Sequence, residues 1–96
     1  KADAIIKIIT DIQSYLCSLY TSEENKAIVD ELSEVIYILV TNSYSILKLN
    51  DEWSIIRNNI IEITKSKVIN FSGLTNKCIF KHMDILDEII KLDSEL

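Results

Sequence analysis

The chain of 96 residues contains no proline and a single glycine, Gly73. β-Sandwiches and β-barrels need a tight turn every ten residues or so, and such turns draw heavily on these two residue types. Long helices that are joined by a few connections need neither of them. The scarcity of turn residues therefore predicts an all-α fold, and the length predicts a single helical domain over residues 1–96.

Apolar residues recur at intervals of three and four in four segments, which is the spacing of one face of a helix. We expect helices at about residues 2–20, 22–40, 51–69 and 73–92. The second either ends near Val40 or continues to Leu49, because the Thr, Asn and Ser side chains after Val40 compete for backbone hydrogen bonds. Short connections favour antiparallel neighbours, so we predict an antiparallel four-helix bundle, with two stacked helical hairpins as a variant.

Each helix is expected to bury one stripe of apolar side chains. The predicted stripes are Ile5, Ile8 or Ile9, Ile12, Leu16 and Leu19 in the first helix; Ile28, Leu32, Val35, Ile36 and Leu39 in the second; Trp53, Ile56, Ile60 and Ile63 in the third; and Ile79, Met83, Leu86 and Ile90 in the fourth. Polar residues that fit helix starts are the capping-box pair Thr21 and Glu24, Asn50 or Asp51, and Ser72 or Thr75.

The run VIYILV, Val35 to Val40, is apolar on more sides than one buried stripe requires. Excess exposed apolar area usually marks contact with a partner, and aromatic residues serve there as anchors. The candidate partner-binding residues are Tyr37, Ile38, Val40 and Tyr44. We therefore expect a non-catalytic helical module that binds protein, either as an oligomer of itself or with another chain.

Few residues suit catalysis or metal binding. Cys78 and His82 share one helical face, and Cys17 lies far away in sequence, so neither a complete zinc motif nor a nucleophile–base–orienter set is apparent. We predict no enzymatic activity, no metal and no cofactor. Two cysteines in a mainly helical chain do not form a disulfide framework, and reduced thiols favour a cytoplasmic location.

The net charge of −5 argues against a nucleic-acid surface, which would be basic and clustered. The longest uninterrupted apolar run has six residues, whereas a membrane span needs about twenty, so neither a span nor a targeting segment is expected. Four lysines flank the loop around Gly73, with Phe71 between them: Lys65, Lys67, Lys77 and Lys81. They fit either a small anion or nucleic-acid contact, or helix ends with matching charge.

Two segments point to an alternative function. YTSEENKAIVDEL, Tyr20 to Leu32, and LTNK before the last helix resemble segments of the small helical immunity proteins of pediocin-like bacteriocins. The size, the four helices and the acidic balance are similar too, and the resemblance implies an inhibitory or immunity-type protein. A further alternative is a fragment of a HEAT-like helical scaffold, because the chain begins with Lys1 instead of methionine and its helices pair as two hairpins.

Overall fold

The structure is a computed structural model that describes residues 2–95, so Lys1 and Leu96, the ends of the predicted domain, lie outside the described residues. It contains four α-helices: α1 (Ala2–Leu19), α2 (Lys26–Leu47), α3 (Trp53–Lys65) and α4 (Asn76–Ser94). Short 3₁₀ turns, Glu23–Asn25 and Val68–Asn70, lie between α1 and α2 and between α3 and α4. No β-strand occurs within residues 2–95, and the predicted all-α class is confirmed.

The helices pack in the order α1, α2, α4, α3 around the bundle. Successive helices run antiparallel. The start of α1 meets the end of α2, where Asn50 Nδ2 donates a hydrogen bond of 3.3 Å to Asp3. The end of α4 meets the end of α2 and the start of α3, around Tyr44, Trp53 and Asp93. The α1–α2 and α3–α4 hairpins are thus stacked on each other, which confirms the four-helix bundle in its stacked-hairpin form.

The core is built from all four helices and from Leu74 in the last connection. Its buried apolar members are Ile6, Ile9, Leu16, Val29, Ile36, Val40, Tyr44, Leu47, Ile56, Ile60, Ile63, Leu74, Cys78, Ile79, Ile85 and Ile89. Three polar side chains are buried among them, Gln13, Ser33 and His82, and each one has a hydrogen-bond partner. Since a fully buried isoleucine contributes about 1.5–3 kcal/mol, this core is the main source of stability.

The buried face of α2 differs from the predicted one by about one residue, or 100° of rotation. Ile36 is buried as predicted, but Ile28 and Val35 are 42% and 40% exposed. The physical reason is Ser33, whose hydroxyl donates to the Val29 carbonyl at 2.9 Å and lies 3.0 Å from Cys78 Sγ. A serine whose hydroxyl is satisfied within the helix can occupy the core face, and apolar periodicity alone does not show this.

The buried face also differs from the predicted one in α4 and, to a smaller extent, in α1. Met83 and Ile90 of the predicted α4 stripe are exposed, whereas Cys78, Ile79, His82, Ile85 and Ile89 are buried. In α1, Ile9 is the buried one of the two alternatives and Ile8 is exposed, while Gln13, which lies outside the predicted stripe, is buried. The α3 prediction is correct: Ile56, Ile60 and Ile63 are buried, and Trp53 packs against them.

The structure decides between the alternatives that the sequence left open for the end of α2 and for the cap of α4. α2 continues through Thr41, because its hydroxyl donates to the Tyr37 carbonyl at 2.7 Å and is satisfied within the helix. Thr75, not Ser72, caps α4 by accepting a hydrogen bond of 3.0 Å from the backbone N–H of Cys78.

Three predictions about helix ends are wrong. Neither Asn50 nor Asp51 is the N-cap of α3, because that position is Glu52, which makes no side-chain cap bond. Thr21 and Glu24 do not form a capping box, because Ser22 precedes a 3₁₀ turn and makes no side-chain cap bond. α3 ends at Lys65 instead of residue 69, since the backbone becomes extended at Ser66.

Candidate binding surface

The four predicted partner-binding residues do not lie together on one surface of the structure. Ile38 is 52% exposed and Tyr37 is partly buried, but Val40 and Tyr44 lie in the core. This corrects the prediction for Val40 and Tyr44, which the rotation of α2 turns inward. Neither side chain offers a contact surface to a partner in this fold.

Tyr44 makes structural contacts between helix ends. Its hydroxyl donates a hydrogen bond of 2.9 Å to Asp93, and its ring meets Trp53 edge-on with centroids 5.4 Å apart. Burial, together with the hydrogen bond to Asp93, raises the pKa of Tyr44. The residue joins the ends of α2 and α4 to the start of α3.

Tyr37 is engaged within the chain as well. The Lys81 ammonium lies 4.6 Å from the centre of the Tyr37 ring, a cation–π geometry, and 3.5 Å from the Glu34 carboxylate. This arrangement covers part of the ring with a side chain from α4. Of the four candidates, only Ile38 presents a largely free apolar surface.

A different set of apolar residues is exposed along α1 and α2. Ile28, Val35 and Ile46 are seven and eleven residues apart, so they lie on one line along α2. Ile8 and Tyr15 are exposed on α1 and seven residues apart, which is two turns. We call these five residues the outer face.

Helix geometry places both lines on the same side of the α1–α2 hairpin. α2 turns Ser33 and Tyr37 toward α4, so the line through Val35 lies on its opposite side, which faces α1 and solvent. α1 turns Gln13 toward α3, where its Nε2 donates to the Ile56 carbonyl at 3.2 Å. Tyr15 is two positions, or about 200°, from Gln13 and therefore points away from α3 and outward.

The outer face has charged residues at its margin. Lys7 and Asp11 form an exposed ion pair of 3.0 Å on α1, and Glu31 is exposed on α2. An apolar centre with a polar rim is the usual anatomy of a protein–protein interface. Sequence reasoning missed the outer face because it assigned Ile28 and Val35 to the core.

The buried Cys78–His82 pair on α4 favours packing over chemistry. His82 Nδ1 donates to the Cys78 carbonyl at 2.8 Å and lies 3.8 Å from Cys78 Sγ. Burial raises the pKa of Cys78 to about 11 and lowers the pKa of His82, so both groups are held neutral near pH 7. A neutral thiol that solvent does not reach is a poor nucleophile.

A small cavity of about 10 Å³ lies beside this pair, with room for about one water molecule, and is lined by Gln13, Leu16, Cys17, Ile36, Asn59, Ile63 and His82. Within residues 2–95, no group of three or more His, Cys, Asp or Glu residues is placed to hold a metal ion. No helix in this part of the chain has the length and apolar character needed to cross a bilayer.

Comparison with known proteins finds no matching family model, no matching curated protein and no matching solved structure. The resemblance to bacteriocin immunity proteins therefore rests on two sequence segments and general features, and it stays a prediction.

Proposed function

We propose that this protein is a non-catalytic helical module that binds protein through the outer face of its α1–α2 hairpin. The observation that carries the proposal is the alignment of exposed apolar side chains along two adjacent helices. Isolated exposed apolar residues are normal on a protein surface, but exposed apolar side chains that line up on two neighbouring helices, with polar residues among and around them, are typical of an interaction site. The partner is either a second copy of the chain or another protein.

Energetics favour such a contact. Covering an exposed valine or isoleucine removes its apolar area from water, at roughly 25 cal/mol for each Å². Both stripes stand on regular helices of the bundle, so little conformational entropy is lost when a partner covers them. Tyr15 adds a large rigid ring at one side of the face, and tyrosine is enriched among the residues that dominate binding energy.

The proposal is tested by sedimentation velocity over a wide range of protein concentration. The test variant is Val35→Glu with Ile46→Glu, which places two carboxylates on the outer face. The matched control is Met83→Glu with Ile90→Glu, which adds two carboxylates at exposed apolar sites on α4. If the partner is a second copy, we expect the wild type and the control to associate and the test variant to stay monomeric.

If the wild type is monomeric, a photo-crosslinking residue at position 35 or at position 90 tests for another partner in cells. Specific adducts from position 35, absent from position 90, are expected. A monomeric wild type with no adduct specific to position 35 would rule out the proposed surface.

A further inference from the structure

The loop between α3 and α4, residues 66–75, exposes apolar side chains at one end of the bundle. Ile69 is 87% exposed, the highest value for a large apolar side chain within residues 2–95. Its neighbour Val68 is exposed as well, and both belong to the 3₁₀ turn Val68–Asn70. The tip of this loop therefore places two adjacent apolar side chains in water.

The loop is clamped in a way that prevents Ile69 from folding back onto the core. Phe71 stacks on Tyr20 with ring centroids 4.3 Å apart, and the Gly73 N–H donates to the Tyr20 carbonyl at 2.7 Å. Leu74 is fully buried. The loop therefore sends Phe71 and Leu74 inward and holds Val68 and Ile69 outward.

The sequence of this loop and its flanks is basic, although the chain as a whole is acidic. From Ile63 to Met83 the sequence contains four lysines and no carboxylate, although the net charge of the chain is −5. Lys81 pairs with Glu34, whereas Lys65, Lys67 and Lys77 form no ion pair within residues 2–95. Lys65 and Lys67 thus flank the apolar tip, whereas Lys77 borders a groove that is also lined by Asp30, Glu31 and Glu34 of α2.

We propose that the α3–α4 loop docks onto the surface of an anionic lipid bilayer. Val68 and Ile69 would enter the boundary between headgroups and acyl chains, while Lys65 and Lys67 lie near lipid phosphates. A tip with two apolar side chains at the end of a bundle about 40 Å long suits a soft interface better than a rigid protein surface. The inference is independent of the proposed protein-binding face, which lies along α1 and α2.

Electrostatics orient the molecule on such a surface. A bilayer with anionic lipids attracts Lys65 and Lys67 and repels the carboxylates of the rest of the chain, so the loop is the favoured point of approach. The neighbouring α1–α2 turn carries Glu23 and Glu24, which weaken the attraction. Binding should therefore be modest and should disappear at high ionic strength.

The test is flotation of the full chain with vesicles of phosphatidylcholine and phosphatidylglycerol in a 3:1 ratio, with pure phosphatidylcholine vesicles as the reference. We expect binding to the anionic vesicles at low salt, and loss of binding in about 0.5 M salt, where the screening length is only a few Å. Each Lys65→Gln or Lys67→Gln substitution should weaken binding about fivefold. Glu23→Gln with Glu24→Gln should strengthen it.

The apolar contribution has a matched control. Ile69→Ser should weaken binding about tenfold, since it removes most of the apolar surface that enters the bilayer. Leu49→Ser removes a side chain that is 81% exposed near the opposite end of the bundle, and it should leave binding unchanged. Both side chains are largely in water, so both variants should keep the helical circular dichroism of the wild type.

Three results would overturn the proposal: no binding by the wild type, equal binding to both kinds of vesicle, or an equal loss in Leu49→Ser. A loss of oligomers in Ile69→Ser without any vesicle binding would also overturn it, since a second protein would then cover the loop.

Discussion

Thr75, which caps α4, donates its hydroxyl hydrogen to the Asp30 carboxylate on α2, and its oxygen accepts from the Cys78 N–H. One side chain thus caps α4 and joins α4 to α2. We expect Thr75→Ala to lower the free energy of unfolding by about 2 kcal/mol, since loss of a cap costs about 0.5–2 kcal/mol and a second hydrogen bond is lost with it. Urea denaturation measures the change. Ser72→Ala, at the alternative cap position, should change stability by less than about 0.5 kcal/mol, and equal effects would contradict the assignment.

Gly73 lies so close to the end of α1 that a side chain has no room. A Cβ atom at this position would collide with the backbone carbonyl oxygen of Ser22 and lie 3.0 Å from that of Leu19. Since backbone cannot move aside as a flexible side chain does, we expect Gly73→Ala to destabilise the fold by about 1–3 kcal/mol. Thermal unfolding measures the shift, and Asn70→Ala in the exposed part of the same loop is the control. An unchanged melting temperature in Gly73→Ala would show that the two backbones are farther apart.

The rotation of α2 can be tested with two isoleucines that are two positions apart. Ile36 is fully buried and Ile38 is 52% exposed. Ile36→Ala should reduce the free energy of unfolding by about 2–5 kcal/mol, because it leaves a cavity in the core. Ile38→Ala should change it by less than about 0.5 kcal/mol. Denaturant titration of both variants gives the comparison, and a larger effect at Ile38 would mean that the assigned face is wrong.

His82 makes stability depend on pH. Burial lowers the pKa of His82, and the hydrogen bond from Nδ1 to the Cys78 carbonyl offsets this only in part. Above about pH 6.5, His82 is neutral in both the folded and the unfolded chain. Below that pH, the unfolded chain takes up a proton at His82 that the folded chain does not. The free energy of unfolding should therefore fall as the pH drops from about 6.5 toward 5, by at most about 1.4 kcal/mol per pH unit from this residue.

The control for this effect is His82→Gln, which cannot titrate and keeps a donor near the Cys78 carbonyl. Urea denaturation at several pH values between 5 and 7 should give a smaller slope for this variant than for the wild type. Identical slopes would show that other groups cause the dependence.

The two thiols should differ in reactivity. Cys17 is exposed, whereas Cys78 is fully buried and burial raises its pKa to about 11. Because the thiolate is the nucleophile, a disulfide reagent at pH 8 should label one thiol per folded chain and both in denaturant. In Cys17→Ser only the Cys78 thiol remains, and the rate at which it is labelled should follow the rate at which the chain unfolds. Fast labelling of that variant in the folded state would contradict the burial of Cys78.

Sequence patterns predicted the number of helices and their approximate limits because apolar spacing and turn residues are local signals. They did not predict which face of α2 or α4 is buried. The run around Ile36 is apolar on all sides, so several rotations fit it equally well. The rotation is set by Ser33, Cys78 and His82, whose small or polar side chains meet between α2 and α4. That meeting depends on two segments about 45 residues apart, which no local pattern reveals.

The sequence predicted that apolar residues of α2 are exposed, but it did not predict which ones. The surplus of apolar residues on α2 correctly indicated that some of them are exposed, and Ile38 is one of these. Which others are exposed depends on the rotation of the helix, so Val40 and Tyr44 were placed on the wrong side. The apolar tip at Ile69 was not singled out, because one isoleucine in a short loop gives no periodic signal.

The stacked hairpins also have a consequence for how the chain assembles. Hydrogen bonds that join one hairpin to the other span between 43 and 53 residues, as in Gln13 to Ile56 and Gly73 to Tyr20. Each hairpin, in contrast, closes through a short turn of its own. We therefore expect the hairpins to form as local units before they dock, since distant contacts carry the greater loop-closure entropy. A cut at Asp51 would leave nearly every contact in place, and the two halves would be complementary fragments that reassemble when mixed.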